Sequence, residues 1–185
     1  MFKNACYFRL GDGFELPPLP ALDRVLQKTR FVPCGPTQAE SSGWVPPRGG
    51  KHTQLAEIVG GQLILKLCTE KRAVPSSAIK AGVEEKIERY KKETGQERVG
   101  SRAKKEFKEE VLLDLLPRAF TKRSHTLLWL APEQKLLVVD AGTLAGADRI
   151  VSALLESLLE IPGVGSALDL QPIHTELSPS VAMAQ

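Results

Sequence analysis

HTLLWLA (residues 125–131), PEQ (132–134), KLLVVD (135–140) and, after Ala141-Gly142, TLAGADRIVSALLESLLE (143–160) decide the fold. The first and third pieces are short, dense in Leu, Val and Trp, and parted by a Pro-Glu-Gln turn, the pattern of two adjacent strands. The fourth carries Ala147, Ile150, Val151, Leu154, Leu155, Leu158 and Leu159 on one face, with Asp148, Arg149, Ser152, Glu156 and Ser157 opposite. Apolar positions recurring at three and four residues are the mark of an amphipathic helix lying on a core. Pro162-Gly163 ends it. Strands and helices follow one another without a regular βαβ period, so the chain is predicted to be α+β, with antiparallel strands and a long amphipathic helix near the C-terminus.

Upstream, residues 5–10 (ACYFRL) read as a strand stopped by Gly11-Asp12-Gly13. Pro17, Pro18 and Pro20 open a helix over about 20–30, with Leu22, Val25, Leu26 and the later Phe31 on one face. Residues 33–53 are rich in Pro, Gly and Ser and read as an ordered loop with a short strand about Trp44. Gly60-Gly61 between LAEIV (55–59) and QLILKLCT (62–69) is a hairpin signal. Pro75-Ser76-Ser77 starts a helix, a serine being expected to cap its first amides. Ile79, Val83, Ile87 and Tyr90 form its narrow stripe, and Gly95 its stop. A second striped helix runs from near Ser101 through Ala103, Phe107, Val111 and Leu115 until Pro117, because the residue before a proline avoids helical angles. The domain organisation expected is a body part over 1–73, a projecting helical hairpin over 74–117, a β-hairpin plus amphipathic helix completing the body over 118–170, and a frayed tail over 171–185.

The 185 residues are 42% hydrophobic and 25% charged, so a real core is possible and wholesale disorder is excluded. No stretch approaches the roughly 20 apolar residues of a membrane span, and the N-terminus lacks the pattern of a signal peptide. The chain reads as a soluble, cytosolic protein. Cys6, Cys34 and Cys68 are odd in number and far apart, and His52, His125 and His174 stand away from them. Reduced thiols are expected, with no disulfide framework, metal or cofactor. There is no GxxxxGK[ST], GxSxG or HExxH, and Gly11-Asp12-Gly13 lacks the third glycine of a dinucleotide fingerprint. A Cys34–His52 pair has no spacing to support it, and Asp140 reads as a strand-end turn residue. No enzyme is indicated.

Charge distribution is more informative than the net +3. Residues 133–185 hold two basic and seven acidic side chains, which leaves 23 basic and 15 acidic in residues 1–132. A basic body with an acidic end suggests a surface for a polyanion. Within 80–110, eight glutamates lie among the cations, many at the three- or four-residue spacing of intrahelical pairs, so that span reads as a solvated face first. Arg118, Lys122 and Arg123 have no acid between 115 and 132. With Lys71 and Arg72 earlier, and Lys80 at the hairpin's start, they are the candidate phosphate ligands, since an unpaired cation gains most from releasing phosphate counterions. Aromatic residues are not interleaved with them, which favours duplex backbone over stacked single-stranded bases. Solvated lysine-rich helices remain the bland alternative. Phe120, among these cations, fits a core position or an exposed contact.

FVPCG (31–35), GWVPP (43–47), VPSSAIK (74–80), EVL (110–112) leading to LLPRAF (115–120), and the strand pair with Trp129 and Val139-Asp140 resemble, in this order, the bacterial recombination-associated RdgC family over residues 1–175. The resemblance implies a homodimeric ring that binds DNA without sequence preference, restrains the RecA recombinase and is cytoplasmic and nucleoid-associated. It also implies that Phe120 sits at a subunit contact. Family members are longer, and the resemblance places this chain on their N-terminal part, with a C-terminal portion missing. The expected function is therefore a sequence-independent, mainly double-stranded DNA binder that coats or encircles DNA and limits recombinase access. The alternative is a dimerisation or protein-interaction module with weak DNA binding.

Overall fold

The computed structural model describes residues 4–50 and 52–173. Seven strands, β1 (Cys6–Arg9), β2 (Glu40–Val45), β3 (Ala56–Val59), β4 (Gln62–Ala73), β5 (Phe120–Ala131), β6 (Leu136–Val139) and β7 (Gln171–Pro172), form a sheet in the order β2-β4-β5-β6-β1-β7, with β3 pairing β4. Helices α1 (Leu19–Lys28), α2 (Ser76–Thr94), α3 (Ser101–Leu115), α4 (Leu144–Leu159) and α5 (Val164–Ala167) complete the chain. The fold is α+β, as the alternation of patterns predicts. Among the described residues no helix is long and apolar enough to cross a membrane.

Contacts divide the chain into two units. Of the described residues, the first gathers those in 4–31, 43–68 and 125–173, and the second those in 32–42 and 69–124. In the first unit, the deciding stretch forms the centre of the core. β5 and β6 pair antiparallel with Leu128 opposite Val139 and Leu130 opposite Leu137, and β6 pairs antiparallel with β1, setting Phe8 opposite Leu137. Side chains two apart on a strand share a face, so Leu128, Leu130, Leu137, Val139 and Phe8 make one buried layer. α4 covers the core with Ala147, Ile150, Val151, Leu154 and Leu158, and α1 adds Leu22, Val25 and Leu26. Thr143 caps α4 by accepting from the Gly146 N–H at 3.1 Å. Trp44 is buried, and its indole N–H donates to the Ser157 hydroxyl at 3.0 Å, which removes the cost of an unpaired indole in the core. Gly60 and Gly61 take φ of 58° and 76°, the two positive angles that a two-residue hairpin turn between β3 and β4 demands.

The structure departs from the sequence reading at several element ends. α1 stops at Lys28, so half-buried Phe31 lies beyond its apolar face. No serine caps α2; Pro75 is its N-cap, with φ −61° already set by its ring, and Ser76 is the first helical residue. Leu116, before Pro117, keeps helical angles (φ −53°, ψ −45°). The proline withholds an N–H rather than turning the chain, and a 3-10 turn over Leu116–Arg118 finishes the helix. Gln171–Pro172, read as the start of a frayed tail, pairs antiparallel with β1. Residues 174–185 of that tail, with His174, lie outside the described residues.

Candidate nucleic-acid interface

The second unit holds every candidate site residue. In it α2 and α3 run antiparallel: Gly82 faces Val111, Lys86 pairs Glu110, and the rings of Tyr90 and Phe107 meet at 5.8 Å. A Cβ on Gly82 would come within 2.7 Å of Val111 Cγ1, so glycine there lets the helices approach. α2 buries no residue fully and α3 only Val111. The narrow stripes are half-covered, as the sequence spacing implies.

The end of β4 sorts its charges by strand alternation. Lys71 turns to one side and pairs with Glu40 at 3.0 Å. Glu70 and Arg72 share the other face. Glu70 is 2% exposed, and its carboxylate accepts from the Cys34 backbone N–H at 2.8 Å and from Arg123 Nε at 2.5 Å. Arg123 beside it, then the Cys34 amide, holds the Glu70 carboxyl below the usual glutamate range. Cys34 donates its thiol to the Glu70 carbonyl, and burial with the neighbouring carboxylate raises its pKa, so the thiol stays protonated and unreactive. Arg72 donates to the carbonyls of Cys34, Gly35, Leu116 and Ala119 at 3.0–3.4 Å.

Two candidates thereby lose the property for which the sequence singled them out. Lys71 and Arg123 are not uncompensated; their carboxylates come from distant parts of the chain. Arg72 faces carbonyls instead of carboxylates, and its donors are engaged. Arg118, on the 3-10 turn, and Lys122, on β5, are exposed and have no carboxylate partner among the described residues. Phe120 and Lys122 share a face of β5 by the same alternation, opposite Arg123. Phe120 is 88% exposed, which removes a core role for it in this chain.

On the helix pair the charges divide into two sets. Lys86 pairs Glu110 at 2.6 Å, with Asp114 at 3.9 Å, while Arg89–Glu85, Lys91–Glu88, Arg102–Glu106 and Lys105–Glu109 are pairs along one helix. Lys80, Lys104 and Lys108 form no ion pair among the described residues and, with Glu84, line a groove of about 530 Å³ that also takes in Ile79, Val83 and Ile87. Arg98 shares an adjoining hollow with Lys104. The sequence reading singled out Lys80 and passed over Lys104 and Lys108. The signal was present: neither has an acid three or four positions away on either side.

No group of three or more His, Cys, Asp or Glu among the described residues stands close enough to hold a metal ion. Cys6, Cys34 and Cys68 form no disulfide among the described residues. A family model described as "Putative exonuclease, RdgC" matches residues 1–185. The chain is similar to the recombination-associated protein RdgC of Tolumonas auensis, 35% identical over 171 residues, covering 92% of this chain and 56% of the relative. It is also similar to those of Sodalis glossinidius (35% over 177 residues, 96% and 57%) and Dechloromonas aromatica (35% over 183 residues, 99% and 57%). The chain thus spans little more than half the length of these curated relatives.

Proposed function

The chain belongs to the RdgC family of recombination-associated proteins, and on that premise we propose that it binds duplex DNA through the phosphate backbone without reading sequence. It self-associates as a homodimer through exposed Phe120, and by occupying DNA in the nucleoid it limits the access of a RecA-type recombinase. The observation that carries the reading is that exposed cations of the second unit, among them Arg118, Lys122, Lys80, Lys104 and Lys108, have no carboxylate partner among the described residues. Such a cation can meet a phosphate without first giving up a partner, and counterion release then favours binding. Base readout has less support. Tyr90 and Phe107 are engaged with each other, so that among the described residues the single exposed ring of Phe120, and no row of aromatic platforms, stands beside these cations.

The test is a fluorescence-anisotropy titration of unrelated labelled duplexes over a range of salt, repeated with Mg²⁺ to follow the length of the DNA. Log Kd should change linearly with log salt, with a slope of up to about 4.5 per chain if all five cations touch phosphate. Affinity should be similar for every duplex, and the DNA should stay intact. A preference for one duplex sequence, or salt-independent binding, would overturn the reading. Shortened strands in Mg²⁺ would give the chain the exonuclease activity named in the family description. Self-association without DNA binding would leave a protein-interaction module.

A further inference from the structure

The guanidinium of Arg72 is the most heavily committed side chain of the second unit. Its Nε donates to the Gly35 carbonyl at 3.2 Å, Nη2 to Gly35 at 3.1 Å and Cys34 at 3.4 Å, and Nη1 to Leu116 at 3.0 Å and Ala119 at 3.3 Å. Five contacts match the five N–H donors that a guanidinium owns. A phosphate at this position would have to draw Arg72 away from four carbonyls at once; those of Gly35 and Leu116 also accept the backbone N–H groups of Gln38 and Ala119, so the loop and the turn are each closed where the guanidinium holds them. A cation at a helix C-terminus is also favoured by the helix dipole.

These contacts tie together two segments far apart in sequence, the loop at 34–35 and the turn at 116–119. The turn leads directly into Phe120. A side chain that is 88% exposed has no packing of its own to hold it, so its placement depends on the backbone behind it. The loop is held a second time from the same face of β4, by the Cys34 N–H on Glu70, which Arg123 secures in turn. The residue beginning the loop segment, Val32, is itself 66% exposed. Each tethered segment therefore presents an apolar side chain to solvent.

We infer that Arg72 is a positioning residue for self-association and not a phosphate ligand: it clamps the turn before Phe120 and so presents that side chain to a second copy of the chain. The inference rests on the reading of Phe120 as the self-association anchor. Lysine at position 72 keeps the charge but offers one point donor in place of a planar fork, and cannot bridge both segments.

Sedimentation equilibrium of the full chain with Arg72→Lys, Arg72→Gln, Phe120→Ala and the double Arg72→Gln/Phe120→Ala tests this, alongside the DNA salt slope of each. Arg72→Lys should weaken self-association about tenfold, the loss expected when one or two net hydrogen bonds go, and leave the salt slope unchanged. Arg72→Gln should add nothing in the Phe120→Ala background, a coupling that a merely structural role would not produce. Wild-type association of Arg72→Lys overturns the inference. So does additivity of Arg72→Gln with Phe120→Ala, or a salt slope lowered by about one unit in Arg72→Gln, the signature of a lost phosphate contact. If Arg72→Gln does not fold, Arg72→Lys carries the test. Unchanged association of Phe120→Ala removes the anchor reading and this inference together, whereas a loss in Phe120→Ala with none in Arg72→Lys removes the clamp alone.

Discussion

Changing Arg118 and Lys122 together to glutamine separates phosphate contact from general surface charge. Both are exposed and have no carboxylate partner among the described residues, so the double variant should keep its stability within about 0.5 kcal/mol. Each phosphate contact contributes about 0.9 to the slope of log affinity against log salt, so the pair accounts for up to about 1.8. Raising salt fourfold, from about 50 to 200 mM, should therefore narrow the gap between wild type and variant about twelvefold. Lys86→Gln with Arg89→Gln is the control, because Lys86 already neutralises Glu110 at 2.6 Å and Arg89 pairs with Glu85 at 3.2 Å. Its slope should change by less than about half a unit. Lys104→Gln with Lys108→Gln should behave like the first pair if the grooved face of the hairpin meets DNA. Arg123 is left out deliberately, since removing it strands Glu70, 2% exposed, without its cation and would confuse binding with folding. Anisotropy titrations at four or five salt concentrations give the slopes. An equal or larger loss of slope in the Lys86/Arg89 variant would refute the rule that pairing in the fold decides which cations bind.

Phe120→Ala removes almost no buried surface, so chemical denaturation of the dilute chain should show a change under about 0.5 kcal/mol while sedimentation shows weaker self-association; a loss of roughly 3–5 kcal/mol would mean that Phe120 is packed after all. The Glu70 carboxyl lies below its unfolded pKa because of Arg123 and the Cys34 amide. Its contribution to stability is therefore complete above the unfolded value of about 4.3 and is lost as pH falls through the folded one. The Tm advantage of wild type over Glu70→Gln should be constant from pH 7 to about 5 and shrink below about 4.3; an advantage that persists unchanged to pH 2 would assign it to packing and not to the charge.

Elements set by local chemistry were readable from the chain alone. The β5–β6 pair, the wide apolar face of α4, the Gly60-Gly61 turn and the stop of α2 at Gly95 depend on side-chain spacing or on positive φ, both of which a sequence displays. β7 did not show, because two residues have no periodicity and their strand character comes from pairing with β1. The helical angles at Leu116 were hidden for a related reason. The steric bias against helix before a proline is a preference, and Leu116, 2% exposed, is held by burial that only the fold supplies. The missing serine cap on α2 belongs here too, since Pro75 at the N-cap fixes the entry geometry and leaves Ser76 inside the helix.

The candidate site shows the same division between what is near along the chain and what is near in space. Pairs along a helix, such as Arg89–Glu85, Arg102–Glu106 and Lys105–Glu109, follow from four-residue spacing. By that logic Lys104 and Lys108, with no acid in reach, were as visible as Arg118 and Lys122. The logic fails at a sheet. Arg123 and Glu70 are 53 residues apart and form an ion pair, and the carboxylate beside Lys71 comes from β2. Alternation along β4 then gives three consecutive residues three different fates. Glu70 is buried under a cation, Lys71 is neutralised on the opposite side, and Arg72 is spent on carbonyls. A run of basic residues on a strand therefore counts toward a phosphate surface only after each side of the strand has been assigned. On a helix the neighbours three and four positions away already decide most of the matter.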